Sequence, residues 1–185
     1  MHQPQLIRLE DVPAAPWKNG LGSTRVIVGS EPEAVWRLSV AELEQDGEFS
    51  SFGGWDRTFC VYGRSPVELT VSGCTHLLAP GDALPFDGEA PVRATLPEGT
   101  SQALNLMTRR GAASGTTEVV EIQPDAGPEL PHGTVALVPL RDSVRAGDQL
   151  CRRGEILLHP RGPLSAGPAG AAQPAVVALV RVSDG

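Results

Sequence analysis

Hydrophobic and polar positions alternate along this chain in short bursts. Runs rich in Val, Leu, Ile and Thr are closed off by Gly, Pro or Asp, a spacing that predicts a sandwich or barrel rather than helices. The segments are LIRL, STRVIV, VWRLSVAEL, DRTFCVY, VELTV, HLLA, VRATL and QALNLMT, followed by TEVVEI, TVALVPL, EILLH and AVVALVRV. Nothing between them reads as a long amphipathic helix. Asp46-Gly47 and Gly53-Gly54 mark turns on either side of EFSSF. The predicted fold class is all-β.

A weak internal echo divides the chain. VELTVSGCTHLLAPGDAL and TVALVPLRDSVRAGDQL each run from a strand through a turn to Gly-Asp and then Leu. Gly81-Asp82 and Gly147-Asp148 would each allow a tight corner between strands. The natural connection between halves is RRGAASGTT, from Arg109 to Thr117. RGPLSAGPAGAAQP, from Arg161 to Pro174, reads as a low-complexity, mobile loop. The expected division is residues 1–110 and 111–185, two halves packed intimately.

Composition narrows the function classes. With 185 residues the chain can bury a core, on the order of 70% of its unfolded surface. Its net charge is -7 and its pI near 5.1, with no stripe of Lys or Arg, which argues against nucleic acid as a partner. The start MHQPQLIRLED lacks a basic segment followed by an apolar one, and no stretch approaches the ~20 apolar residues of a spanning helix. A cytoplasmic protein without a membrane partner is expected. Cys60, Cys74 and Cys151 are odd in number and far apart, so they read as reduced thiols filling small core positions.

The candidate chemistry lies on strand faces. In VWRLSVAEL, alternation puts Trp36, Leu38 and Val40 on one side and Arg37, Ser39 and Ala41 on the other. If the apolar set fills the core, Arg37 and Ser39 are solvated; the alternative is that they line a pocket. Asp56 and Arg57 point to opposite faces of DRTFCVY, and Asn105, Met107 and Arg109 share a face of QALNLMTR. Together with Lys18, Asn19 and Arg25 these residues form a polar set with a cationic excess, suited to a small anion. A carboxylate about 4 Å from one such cation gains roughly 4 kcal/mol at an effective dielectric near 20, before desolvation is subtracted. Arg supplies the planar fork that matches a carboxylate.

Metal chemistry is not signalled. His2, His76, His132 and His159 are isolated, with no HxH or HxxxH spacing. No metal site, cofactor or catalytic residue is assigned. The chain has no GxSxG elbow and no phosphate-binding glycine loop. Glu42 and Glu44 share a face at a strand end, which a solvated edge explains as well as acid–base work does.

PWKNG, from Pro16 to Gly20, places an indole, an amine, an amide and a glycine just before a strand. In one reading Trp17 walls a pocket, Lys18 and Asn19 donate to a ligand, and Gly20 turns the chain without obstruction. In the other, Trp17 plugs the end of a barrel, Asn19 satisfies its own turn and Lys18 is solvated.

Four stretches in order, PWKNGLGSTRVI, WRLSVAELEQDGEFSSFGGWDRTFCVYG, LLAPGDALPFDGE and NLMTRRG, resemble the motifs of the HutD/Ves family of bicupin proteins. The likeness is dense from Pro16 to Gly111. It implies two cupin-like β-barrels in one chain, the first, over residues 1–110, holding the ligand pocket and the second, over 111–185, being mainly scaffold. It also implies an accessory or regulatory role in bacterial histidine utilisation, with a small anionic metabolite such as a dicarboxylate or formylglutamate as ligand and no cupin metal. The family pattern falls on Trp17, Lys18, Asn19, Gly20, Thr24, Arg37, Ser39, Phe49, Ser50, Asp56, Arg57, Asn105, Met107 and Arg109. Leu21 departs from it, standing where the pattern has glycine, which predicts a changed backbone at the pocket mouth.

The expected ligand-binding set is Trp17, Lys18, Asn19, Arg37, Ser39, Asp56, Arg57 and Asn105. An enzyme remains the alternative, a hydrolase or isomerase with Asp56 or a glutamate as general base beside Lys18 or Arg57. Pairing of two copies through sheet edges, as cupins do, would make a homodimer.

Overall fold

The computed structural model describes residues 3–124, 128–167 and 173–185. In chain order the strands are β1 (Gln5–Arg8), β2 (Ala14–Pro16), β3 (Gly22–Val28), β4 (Trp36–Leu43), β5 (Gly47–Glu48), β6 (Trp55–Val61), β7 (Val67–Val71), β8 (Cys74–Leu78) and β9 (Ala83–Asp87). They continue with β10 (Val92–Thr95), β11 (Ser101–Arg109), β12 (Ala113–Ile122), β13 (Thr134–Arg141), β14 (Ser143–Ala146), β15 (Gln149–Arg152), β16 (Glu155–Leu158), β17 (Leu164–Ala166) and β18 (Ala175–Asp184). Among the described residues the only helical element is a 3-10 turn at Leu9–Asp11. The fold is all-β, and every segment proposed from the sequence overlaps a strand.

Two compact units emerge. One comprises Met1–Val12 with Thr116–Val182; the other comprises Pro13–Gly115 with Ser183–Gly185. The boundary therefore differs from a simple cut at 110/111, because the first residues of the chain cluster with its second half: β1 pairs antiparallel with β16 from Gln5↔Leu158 to Arg8↔Glu155.

In the unit of residues 13–115, a six-stranded sheet (β2-β3-β4-β11-β6-β9) and a four-stranded sheet (β5-β10-β7-β8) contribute to one apolar cluster. Ala41, Leu43, Phe59, Val61 and Ala103 come from the first; Val67, Leu69, Leu78, Val92 and Ala94 come from the second. Burial of a side chain such as Phe59, fully inaccessible here, is worth about 1.5–3 kcal/mol. The other unit repeats the plan. Ile122, Leu137, Leu157, Val177 and Leu179 of the five-stranded sheet β1-β16-β13-β18-β12 pack with Val144, Ala146, Cys151, Leu164 and Ala166 of the three-stranded sheet β15-β14-β17.

Local sequence explains the corners. Ser72 and Gly73 join β7 to β8 with φ of 48° and 85°, the two left-handed positions of the hairpin turn that matches strand twist. Gly81 (φ 93°) and Gly147 (φ 54°), the glycines of the echoed Gly-Asp pairs, both adopt the left-handed conformation. Asp82 Oδ2 accepts from the Ala79 N–H at 2.8 Å, closing its corner. Pro139, in a strand flanked on both sides, coincides with a register shift between Pro139 and Arg141 that accommodates its missing N–H.

Three sequence expectations change. The connection expected over Arg109–Thr117 is only a turn, since β12 already begins at Ala113. The loop expected over Arg161–Pro174 contains the strand β17, and its residues 168–172 lie outside the described residues, as does His2. Cys60 and Cys151 are buried, and burial pushes both thiols up to about 12, but Cys74 is exposed rather than a core residue.

Candidate functional site: an arginine-floored cavity

The inward face of the six-stranded sheet changes character along its strands. Because β4, β11 and β6 pair in fixed register and side chains alternate, residues two apart form successive rows on one face. The row Ala41–Ala103–Val61 belongs to the apolar cluster. The next is Ser39–Asn105–Phe59, and the third is Arg37–Met107–Arg57. Hydrocarbon thus gives way, over three rows, to hydroxyl and amide and then to two guanidinium groups.

From these rows Ala41, Ser39, Asn105, Arg37, Met107 and Arg57 floor a cavity of about 500 Å³. Its walls come from the β2–β3 hairpin, with Pro16, Trp17, Lys18, Asn19 and Thr24, and from the end of β5 and the segment after it, with Glu48, Phe49, Ser50 and Phe52. The opposite faces of β4 and β11 are also buried, with Leu38, Val40, Leu104 and Leu106 at most 1% exposed. The choice posed by alternation thus falls away over residues 38–41, where both faces of β4 are buried, while Arg37 at its start is half-buried and lines the cavity.

Arg57 is held on several sides. Its Nε and Nη2 donate to Asn105 Oδ1 at 3.0 and 2.6 Å. Its guanidinium carbon lies 4.6 Å from the centre of the Phe49 ring and 5.5 Å from that of Phe86. Desolvation, and then the charge of Arg37, bring its pKa down to about 10. Arg37 is shifted down by desolvation as well, and its Nε is buried without a hydrogen-bond partner. Among the described residues no carboxylate forms an ion pair with either guanidinium. Two like charges share one floor, and a buried donor there is unsatisfied.

Trp17 packs on the core and walls the cavity. Its indole packs on the apolar cluster, meets Phe49 edge to face at 6.2 Å, and donates Nε1–H to Thr24 Oγ1 at 2.7 Å. Asn19 Oδ1 accepts the Leu21 N–H at 3.2 Å, so it closes its own turn while still lining the cavity. Gly20 takes φ 70° in that turn. Leu21 does not: it is absent from the residues with positive φ, and its side chain lies over Gly47, where an added Cβ would come within 2.1 Å of Leu21 Cδ1. Leu21 is thus seated without a left-handed backbone, its side chain filling the space that Gly47 leaves.

The cavity brings together Trp17, Lys18, Asn19, Arg37, Ser39, Arg57 and Asn105 of the expected set, and it leaves out Asp56. One step from Arg57 on β6, Asp56 faces the other side of the sheet and pairs with Arg110 at 3.0 Å. Arg110 also meets Asp87 at 3.0 Å. Arg109 is engaged elsewhere, with Nη2 donating to Pro32 O at 3.2 Å and the guanidinium 5.3 Å from the Trp55 ring. Arg25 is also outside the lining. Glu48 and Phe52 were missed from the sequence. Glu48 sits in a two-residue strand with no periodicity to expose it, whereas Phe52, between the two turn signals around EFSSF, had a position that could have been read. Among the described residues, no cluster of three or more His, Cys, Asp or Glu side chains could hold a metal.

The HutD family model matches residues 9–167, most of the chain and the whole cavity. The chain belongs to the HutD family. An uncharacterized 21.2 kDa protein from the hutC 3′ region of Pseudomonas putida is 39% identical over 112 residues, 58% of this chain and 59% of that protein. Protein Ves of Citrobacter koseri is 36% identical over 118 residues, 61% of this chain and 62% of its own. The matches thus span about six tenths of these curated relatives. Among solved structures, a conserved protein of unknown function from Pseudomonas aeruginosa superposes with a TM-score of 0.81 at 25% identity, covering 98% of this chain and all of that one. HutD from Pseudomonas fluorescens does so with 0.74 at 26% identity, covering 99% and 100%. A cupin 2 conserved barrel protein from Leptotrichia buccalis, 12% identical with a TM-score of 0.60 over 97% of this chain and 96% of its own, extends the likeness of fold to cupins. Among the described residues of this HutD family member, no helix is long and apolar enough to cross a membrane.

Proposed function

We propose that the cavity is a receptor for a small carboxylate-bearing metabolite, bound without a metal, and that the protein acts as an accessory or regulatory binder in histidine utilisation. One observation carries this reading: Arg37 and Arg57, both shifted down by desolvation, share the cavity floor with no ion pair to a carboxylate among the described residues, in a chain of net charge -7. An anion there relieves the repulsion between the arginines and supplies the acceptor that Arg37 Nε lacks. The aromatic walls, Trp17 and Phe49, suit the carbon skeleton of a ligand such as formylglutamate, and Lys18 and Asn19 reach it from the rim. The P. putida relative's place in a hutC region supports the pathway.

Two cupin-like barrels, a cytoplasmic location, a scaffold role for the unit built around residues 116–182, and pairing of two copies through sheet edges belong to the same proposal. The repeated plan of two sheets around one apolar cluster supports the two-barrel arrangement.

Calorimetric titration of metal-stripped protein with formylglutamate, glutamate and urocanate, followed by a mass check of the recovered ligand, tests the reading. Saturable heat with an unaltered ligand is expected. A chemically altered ligand would make the protein an enzyme, and no heat with any of the three would sink the proposal.

A further inference from the structure

The floor contains a feature that anion binding alone does not require. A buried arginine usually finds a carboxylate, because an uncompensated charge in a desolvated site is costly. Here the partner of Arg57 is an amide. Asn105 is 4% exposed, and its Oδ1 takes two bonds from the Nε–Nη2 edge of Arg57, leaving the Nη1 side of the fork for another acceptor. Its own Nδ2 makes only a 3.4 Å contact with Ala103 O. The Oδ1 of Asn105 is thus committed to Arg57, while Nδ2, with one long contact, still faces the cavity it lines.

The register shows why it is placed there. Asn105 lies between Ser39 and Phe59 in its row, and Arg37 and Arg57 flank Met107 in the next. Position 105 is therefore central to both guanidinium groups. The charged groups around the cavity are Arg37 from β4, Arg57 from β6, and Lys18 and Glu48 at the rim. An aspartate at 105, the same size as asparagine, would accept the same two bonds and cancel one positive charge at the floor. Asparagine fixes the orientation of Arg57 and keeps both charges available.

We propose that Asn105 is a positioning residue that orients Arg57 through a neutral acceptor, so that Arg37 and Arg57 together grip one doubly contacted anionic head group. This rests on the reading of the cavity as an anion receptor. It gives Asn105 a task beyond lining the cavity and makes its lack of charge the property that matters.

The test compares the wild type with Asn105→Asp and Asn105→Ser, using sulfate, which remains a dianion across neutral pH, as the probe. Saturable sulfate binding is measured by calorimetry and stability by melting temperature. The wild type is expected to bind. Asn105→Asp should bind at least tenfold more weakly while melting at the same temperature or higher, since it gains an ion pair with Arg57. Asn105→Ser should lose affinity by a smaller factor, because Arg57 keeps its charge but loses its anchor. Opposite movements of affinity and stability in Asn105→Asp separate this role from a structural one. If Asn105→Asp binds within twofold of wild type, or if affinity and melting temperature fall together, the role of Asn105 is overturned. Should Asn105→Asp fail to fold, unchanged affinity in Asn105→Ser would overturn it equally. A wild-type protein that does not bind sulfate would remove the anion receptor beneath it.

Discussion

Two arginine clusters lie on opposite faces of the same six-stranded sheet. On one face Arg110 bridges Asp56 and Asp87, at 3.0 Å to each. Those carboxylates stand directly opposite each other in the β6–β9 register, so without the arginine two like charges would meet. The pairing raises the pKa of Arg110, and Asp87 is held low first by the Glu89 N–H and then by Arg110. On the other face Arg37 and Arg57 form no ion pair with a carboxylate among the described residues, and both pKa values are lowered by desolvation. The same side chain closes an account of charge in one place and leaves it open in the other. What separates them is burial: Arg110 and its partners are exposed, where a pair is easily formed and worth little, whereas the Arg57 guanidinium is buried and Arg37 half-buried beside it, with no carboxylate among the described residues paired to either.

The contrast can be broken at its strongest point. Arg57→Ala should weaken formylglutamate binding about a hundredfold, roughly 3 kcal/mol, since it removes a desolvated charge-assisted contact. Calorimetry on protein shown by circular dichroism to be folded checks this. Arg37→Ala should cost about tenfold, less because this guanidinium lacks the aromatic stacking and the Asn105 anchor. Unchanged affinity in a well-folded Arg37→Ala protein would remove Arg37 from the site.

A smaller effect is expected with pH. Among the described residues no histidine lines the cavity, so affinity should be flat from about pH 6 to 8. As pH rises through about 10, Arg57 gives up its proton and affinity should fall. The stability term has the opposite sign: the charged form is the one penalised by burial, so its cost is present below the lowered folded pKa and is relieved as pH climbs through it toward the ordinary arginine value. Titrations at stepped pH should show the fall in wild type and its absence in Arg57→Gln.

The smallest change belongs to the exposed cluster. Arg110→Ala should leave affinity within twofold of wild type and lower the melting temperature slightly, because Asp56 and Asp87 are then left facing one another. Added salt should restore part of that loss by screening the two carboxylates. A large loss of ligand affinity in Arg110→Ala would mean that the two faces are not independent.

Much of the architecture is legible in the sequence. Runs such as VELTV and DRTFCVY announce themselves because β-branched and aromatic residues alternate and stop at glycine or proline. The strands that escaped notice are short or compositionally unlike strands: AAP of β2, the two residues of β5, ALPFD of β9, and SVRA, QLCR and LSA of β14, β15 and β17. They exist because a neighbouring strand offers hydrogen bonds, which a local reading does not contain. The candidate site was legible in parts. PWKNG and the two arginines were visible as motifs, but Glu48 and Phe52 were not, and Asp56 was carried in with its neighbour although strand alternation sends it to the other face.

The sequence by itself determined the all-β class, the positions of the principal strands and, through the ordered motifs from Pro16 to Gly111, the family. These depend on side-chain periodicity and turn chemistry, which act over a few residues. Only the tertiary structure decided that the first residues of the chain cluster with its second half, that both faces of β4 are buried over residues 38–41, and that Arg37, Asn105 and Arg57 converge. Those facts depend on register between strands far apart in the chain: β4 and β6 meet only across β11, and a shift of one residue in either pairing would have sent one of the arginines to the opposite face of the sheet.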